Sequence, residues 1–195
     1  MRNRLDLDDR GASAAEFALV LPLLIALLLG IVDVGRYMWA INRAEKAAQM
    51  GVRSAVVTDY VSSAINASYV GACSPVLQAG DPIPAGCFST ITCSRSGTTV
   101  SCTSGTANAN AFNQILLRMD AVYPEISPAD LQVIYSDSGV GYAGDPTGPD
   151  VAPLVTVRLS GMRFQPITLF SLASVALPEV RSSLTFEDGI GSQSN

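Results

Sequence analysis

The sequence predicts an α+β protein built from a long N-terminal transmembrane and amphipathic helix, a disulfide-stapled loop-rich insertion, and a head with a small antiparallel sheet. Three observations lead to this fold class. Residues 14–32 are 19 residues with one charge, close to the roughly 20 that cross a bilayer as a helix. All four cysteines fall within 30 residues. Beyond them, one helical stripe and several alternating segments follow.

These patterns divide the chain into five parts. We predict a leader at 1–11, an N-terminal helix at 12–57, a cysteine-containing loop-rich insertion at 58–110, an α/β head at 111–186 and a flexible tail at 187–195. The membrane span covers about 14–32, and the helix continues beyond it as an amphipathic extension to about 57. Tyr37 and Trp39 lie just past the span, where aromatic side chains mark a membrane interface.

The span contains two unusual residues. Glu16 is its single charge, and a charged side chain at the centre of a membrane helix costs roughly 2.5–3.5 kcal/mol unless it is paired. Glu16 is therefore either solvated at headgroup level or paired with a positive group. Pro22 removes the N–H that would bond to the Ala18 carbonyl, so it either bends the helix or requires a packed neighbour.

Beyond the span, small apolar residues recur every three or four positions along one narrow helix face. Such a face most often packs in the core of its own protein, here against the head, and less often against copies of the same helix. The residues of this face are Ile41, Ala44, Ala48, Val52 and Ala55.

The cysteines predict two disulfides in an oxidising compartment, because their number is even and they lie in a loop-like region. Zinc is disfavoured, since no C-x2-C pair occurs and the chain has no histidine. Three pairings are possible, and we favour Cys73–Cys87 with Cys93–Cys102. Disulfides place the head in the periplasm or outside the cell, and hence the N-terminus in the cytoplasm. A cleaved secretory signal is disfavoured, because the small residues precede the apolar run.

The remaining elements follow from local patterns. Residues 90–100 predict a hairpin around Arg95-Ser96-Gly97. A helical stripe ends at Pro124, and Pro166 opens a short helix to about Ala173. The apolar residues of the stripe are Phe112, Ile115, Leu116, Met119 and Val122, and those of three strands are Leu131, Val133 and Tyr135; Val155, Val157 and Leu159; Val180, Leu184 and Phe186.

Several functions are excluded or disfavoured. Without histidine, catalysis by Ser-His-Asp or Cys-His is excluded, and no phosphate-binding or zinc-protease motif occurs. We therefore predict no enzyme, no cofactor and no metal. The net charge is −5, and no basic stripe exists beyond the anchor, so nucleic-acid binding is not expected. The segment from Asp145 to Asp150 could bind Ca²⁺ weakly, but a solvated turn is the preferred interpretation.

The junction Gly11-Ala12-Ser13-Ala14-Ala15-Glu16-Phe17 resembles the prepilin-type junction of the Tad (tight adherence) pilus system. The longer string RGASAAEFALVLPLLIALLLGIVDVGR is similar to the TadE-like family of pseudopilins, or minor pilins, of Tad/Flp pili. The resemblance implies cleavage between Gly11 and Ala12 by a prepilin peptidase, with Glu16 at position five of the mature chain. Major Flp pilins are shorter and usually carry Tyr where this chain has Phe17.

The order helix, strand, strand, short helix, strand predicts a pilin-like head. The resemblance further implies association with the pilus machinery at the inner membrane, and it leaves open whether the protein stays there or enters the fibre or its tip. Its partners would be other pilins or pseudopilins and the Tad inner-membrane machinery. Glu16, Phe17 and Pro22 become candidate assembly residues. The leading hypothesis is a structural protein of pilus biogenesis and surface adherence. One alternative is an uncleaved single-pass scaffold with a periplasmic head. Another is an adhesive binding module, which the presence of only one tryptophan disfavours.

Overall fold

The computed structural model describes residues 9–73, 75–146, 148–168 and 173–186, with the backbone alone at residues 9–12. It confirms the α+β class, with a long apolar N-terminal helix, a small antiparallel sheet and two disulfides. The elements are α1 (Asp9–Ala55), a 3₁₀ turn (Ser63–Asn66), β1 (Ile91–Ser96), β2 (Thr99–Cys102), α2 (Ala109–Asp120), β3 (Leu131–Ser136), β4 (Leu154–Leu159), β5 (Arg163–Phe164), β6 (Val175–Ala176) and β7 (Val180–Thr185).

The chain divides into two compact units. One, the anchor unit, takes α1 up to Ala40 together with the described residues between Phe164 and Val175. The other, the head unit, takes Ile41–Arg163 and the chain from Ala176 onward. Helix α1 contributes to both units, and its 47 residues extend over about 70 Å at 1.5 Å per residue.

The head unit is organised around a five-stranded antiparallel sheet in the order β2-β1-β3-β4-β7. Strands β3 and β4 alternate between buried and half-buried positions, as the sequence predicted. Their fully buried residues face each other in register, since Val133 pairs with Val157 and Leu131 with Leu159. At the edge strand β7, Val180 is buried but Leu184 is 40% exposed, so the predicted apolar alternation there is only partly realised.

Helical side chains complete the core of the head. The narrow face of α1 is buried as predicted at Ala44, Ala48, Val52 and Ala55, while Ile41 is half-buried. Helix α1 packs tightly against α2 and β4 at Gly51. A methyl group added to Gly51 would lie 2.6 Å from the sulfur of Met119 on α2 and 3.3 Å from a methyl of Val157 on β4. The face therefore belongs to the protein's own core.

Helix α2 is fixed at both ends. At its start, the Asn108 side chain accepts the N–H groups of Asn110 and Ala111, as an N-cap does. After its end, the Arg43 guanidinium donates to the Val122 carbonyl at 3.1 and 3.0 Å. The buried face of the helix comprises Ala111, Phe112, Ile115, Leu116 and Met119, which leaves the predicted Val122 half-buried beyond the last helical residue.

The predicted hairpin is present as β1 and β2. Gly97 begins its two-residue loop with φ 58°, the position at which a type II′ turn requires glycine. Cys93 and Cys102 are opposite each other across the hairpin, with Cα atoms 4.0 Å apart, and are bonded. Because β1 also pairs with β3, the hairpin is part of the head sheet.

The second disulfide joins Cys73 to Cys87, whose Cα atoms are 5.7 Å apart, so the two bonds have the connectivity that the sequence favoured. The helix predicted from Pro166 is not seen in the part of it that is described, where Ile167 and Thr168 form a turn. Its residues 169–172 lie outside the described residues, as do leader residues 1–8 and the tail 187–195.

Candidate functional site

The junction predicted for processing lies at the start of α1. The helix begins at Asp9, so the backbones of Gly11 and Ala12 are already helical, while most of the predicted leader lies outside the described residues. Ala12 and Glu16 are four residues apart, and positions i and i+4 of a helix lie on the same face. The helix therefore places the nitrogen that cleavage would free on the Glu16 side of α1.

The other predicted assembly residues are exposed on the same helix. Every residue from 13 to 28 is exposed, which includes Glu16, Pro22 and Phe17, the last at 63%. The structure thus places the predicted residues along one rod of exposed apolar surface, rather than gathering them into a pocket. Helix α1 remains unbroken through Pro22.

This rod is apolar on all sides. Leu19 is 76% exposed, Leu23 72%, Leu27 61% and Ile31 62%, and these residues are joined by exposed apolar neighbours on the other faces of the helix. Among the described residues, α1 is the one helix that is long and apolar enough to span a membrane, with a mean hydropathy of 2.7 in its most apolar window. It is a candidate membrane span.

Asp33 ends the apolar run and forms a cluster that the sequence did not reveal. Its carboxylate accepts the backbone N–H of Ile167 at 2.8 Å, the N–H of Thr168 at 2.8 Å and the Thr168 hydroxyl at 2.7 Å. Arg36, one turn later, contacts the same carboxylate at 3.1 Å. The Asp33 side chain is consequently buried, although it lies on the anchor helix.

Aromatic contacts surround this cluster. The Tyr37 ring meets the Phe164 ring edge to face, with centroids 5.6 Å apart, and the Arg36 guanidinium lies 5.2 Å from the centroid of Phe164. Tyr37 and Phe164 line an open, mostly apolar groove of about 350 Å³, together with Gly30, Val34 and Val175. A carboxylate directly after an apolar span and three residues before an arginine is the one local signal that could have indicated this cluster.

Asp150 has a comparable role in the head unit. It is buried, and its carboxylate accepts the N–H of Tyr69 at 2.6 Å and the N–H of Asp145 at 2.9 Å. Burial alone raises the pKa of Asp150, but the hydrogen bonds from Gly144, Tyr69, Asp145 and Ser68 outweigh it and lower the pKa below its ordinary value. The expectation of a solvated turn was therefore wrong for Asp150, which organises the surrounding loops.

The groups at this site are mainly apolar side chains and carboxylates. Among the described residues, no three cysteine, aspartate or glutamate side chains lie close enough together to hold a metal ion. All four cysteines are consumed in disulfides. What the structure offers is an exposed apolar helix carrying one carboxylate, and a clustered carboxylate at its far end.

Comparison with known proteins bears on this same helix. Residues 11–53 match the family model of TadE-like protein. The match confirms, over this segment, the resemblance to the TadE-like family, which is associated with the Tad pilus. No curated protein and no solved structure matches the chain. The matched segment begins at Gly11, contains Glu16, Phe17 and Pro22, and extends through the Asp33 cluster into the part of α1 that is buried in the head.

Proposed function

We propose that this protein is a TadE-like minor pilin, or pseudopilin, of a Tad/Flp pilus that acts in pilus biogenesis and surface adherence. A prepilin peptidase cleaves it between Gly11 and Ala12. The helix then holds it in the inner membrane, with the N-terminus in the cytoplasm and the head in the periplasm. From there it joins other pilins through the helix. The observation that carries this proposal is the exposure of residues 13–28 on every side within the family-matched segment.

The residues that the structure describes leave this apolar helix exposed on every side, and such a surface requires cover by other apolar groups. A helix of a soluble domain buries one stripe and exposes a polar face, and soluble monomers rarely expose large contiguous apolar surfaces. Lipid provides that cover before assembly, and neighbouring pilin helices provide it afterwards. Both environments suit the same surface, because lipid tails and apolar side chains are similar in polarity.

Glu16 favours association of the helix with a positively charged partner. An unpaired carboxylate in the span costs roughly 2.5–3.5 kcal/mol, and cleavage after Gly11 creates an ammonium group four residues away at Ala12. The carboxylate pairs with that ammonium in its own chain or in a neighbouring helix, and the second pairing makes it an assembly contact. Ala14, Ala15 and Ala18 lie around it, and small residues let helices approach closely in membranes.

The disulfides of the head are consistent with a location in the periplasm. Its two disulfides, Cys73–Cys87 and Cys93–Cys102, form and persist in oxidising compartments. The Cys93–Cys102 bond lies within the sheet and joins two neighbouring strands. This head would either cap or prime the pilus, or present a surface to the Tad machinery.

Replacing Glu16 by Ala tests the proposal. We expect Glu16→Ala to leave membrane insertion intact, measured by resistance to carbonate extraction, and to abolish assembly of the pilus and adherence of the cells to a surface. Glu45→Ala is the matched control, because Glu45 is an exposed carboxylate on the same helix but lies outside the span. Normal piliation in the Glu16→Ala strain would contradict the assembly role and favour an anchored scaffold.

A further inference from the structure

The Asp33 cluster fixes a distant part of the chain at one level of the anchor helix. Three hydrogen bonds of 2.8, 2.8 and 2.7 Å hold the backbones of Ile167 and Thr168 and the Thr168 hydroxyl to the Asp33 carboxylate. Phe164 is held to the next turn of the helix by Tyr37 and Arg36. The level of Asp33 along the helix is therefore also the level of Ile167.

That level is the edge of the hydrocarbon core if the helix spans a membrane. Asp33 follows directly after Val32, the last residue of the apolar run. A helix of residues 14–32 is about as long as the hydrocarbon core is thick, roughly 30 Å. The charged Asp33 and Arg36 then lie in the headgroup layer, and Ile167 lies beside them.

Among the residues that the structure describes, several apolar side chains at this level are exposed. Ile167 is 46% exposed and Val175 42% exposed, while Ile31 and Val34 on the adjacent helix are 62% and 60% exposed. The groove between the helix and Phe164 is also mostly apolar. Ile167 and Val175 lie beside the exposed apolar residues Ile31 and Val34 of the helix. The polar side chains of Asp33 and Arg36 at this level contact each other, and Gln165 and Ser174 are exposed polar residues of the same segment.

We propose that residues 164–168 and Val175 form an interfacial membrane contact, in which Asp33 holds Ile167 at the boundary between lipid headgroups and acyl chains. The partner is the periplasmic leaflet of the membrane, because the lipid that covers Ile31 also reaches Ile167 at the same level. The contact would fix the depth of the protein in the bilayer until it leaves for the pilus. This inference rests on the membrane span of the proposed function.

Tryptophan quenching by brominated lipids tests the contact. The chain has one tryptophan, Trp39, so Trp39→Phe provides a full-length background without tryptophan. Ile167→Trp is the test variant in this background. Leu24→Trp, near the middle of the span, is the reference for insertion, and Leu117→Trp is the reference for water, since Leu117 is 70% exposed on the head helix α2. Each is reconstituted in vesicles of phosphatidylcholine brominated near the headgroup or deep in the acyl chain.

We expect a tryptophan at 167 to be quenched most strongly by the shallow bromines, one at 24 by the deep bromines, and one at 117 by neither. Adding Asp33→Ala should reduce the quenching at 167 to the level at 117, whereas Asp59→Ala, which changes an exposed aspartate of the head, should not. The far-UV circular dichroism of each variant checks that the fold is kept.

The outcomes separate the two claims. Quenching at 24 without quenching at 167 would overturn the interfacial contact and leave the membrane span intact. A blue-shifted emission at 167 that lipid does not quench would show that protein covers this surface, and would also overturn the contact. Absence of quenching at both 24 and 167 would overturn the membrane span itself and the contact with it.

Discussion

The two halves of helix α1 have opposite surroundings although they form one unbroken helix. From residue 13 to 32 the helix is apolar on all sides and is almost entirely exposed, whereas from 41 to 55 it is mixed in composition and buries one narrow face of small residues. The second half is covered by its own sheet and by α2. The residues that the structure describes leave the first half without cover, and the proposed function assigns this half to assembly.

The largest expected effect comes from placing a charge in the covered face. Ala48 is fully buried in the head, so Ala48→Asp buries a carboxylate without a partner and should lower the free energy of unfolding by about 3–5 kcal/mol. Denaturant unfolding of the detergent-solubilised full chain, followed by circular dichroism, measures this change. Gln49→Asp is the matched control, because Gln49 is the exposed neighbour. Equal stability of both variants would mean that this face is not core.

Two glycines compare a position of α1 just beyond its exposed half with one in its covered half. Gly51→Val forces a side chain against the buried Met119 and Val157 and should destabilise the head by about 2 kcal/mol through overpacking. Gly35→Val should cause no loss, because nothing lies within 4 Å of a methyl group added there and valine is a better helix former than glycine. Adding Met119→Ala to Gly51→Val should recover part of the loss. Similar losses at Gly35 and Gly51 would contradict the difference between the halves.

Each unit contains a buried carboxylate. Replacing the one in the head unit, Asp150, should change the free energy of unfolding by a smaller amount that depends on pH. Asp150→Asn replaces an oxygen that accepts backbone N–H groups with an amide, and should cost about 1.5 kcal/mol at neutral pH. Because the pKa of Asp150 is lowered in the folded protein, its contribution is fully present above the ordinary aspartate pKa of about 3.9 and is lost as the pH falls through the lower folded-state pKa.

Unfolding free energies measured from neutral pH into acid check this prediction. The difference between the wild-type chain and Asp150→Asn should shrink as the pH falls below about 4. Asp59→Asn, at an exposed aspartate, should remain close to the wild-type chain throughout. A difference between the wild-type chain and Asp150→Asn that grows in acid would show that Asp150 is not held as a hydrogen-bonded carboxylate.

The sequence predicted those features that local chemistry controls. Apolar content and length predicted α1, alternation predicted β3 and β4, and Gly97 between threonine-rich segments predicted the hairpin. The favoured Cys93–Cys102 pairing agrees with that hairpin, since residues opposite each other across two strands are close enough to be bonded.

The Asp33 and Asp150 clusters could not be predicted in the same way. Both carboxylates bind backbone N–H groups from distant parts of the chain, which every residue except proline offers, so the residue types at those positions carry no signal of these bonds. The partners Ile167 and Thr168 are also more than 130 positions from Asp33. Only the fold brings such groups together, and the same holds for the pairing of β1 with β3.

The identity of the first residue of the mature protein tests the central claim most directly. The protein is extracted from membranes of cells with and without the prepilin peptidase, and its N-terminus is sequenced. The account predicts a chain that starts at Ala12 when the peptidase is present and at the original N-terminus when it is absent. A chain that keeps residues 2–11 in the presence of the peptidase would leave Glu16 without the Ala12 ammonium, and would contradict assembly through a processed helix.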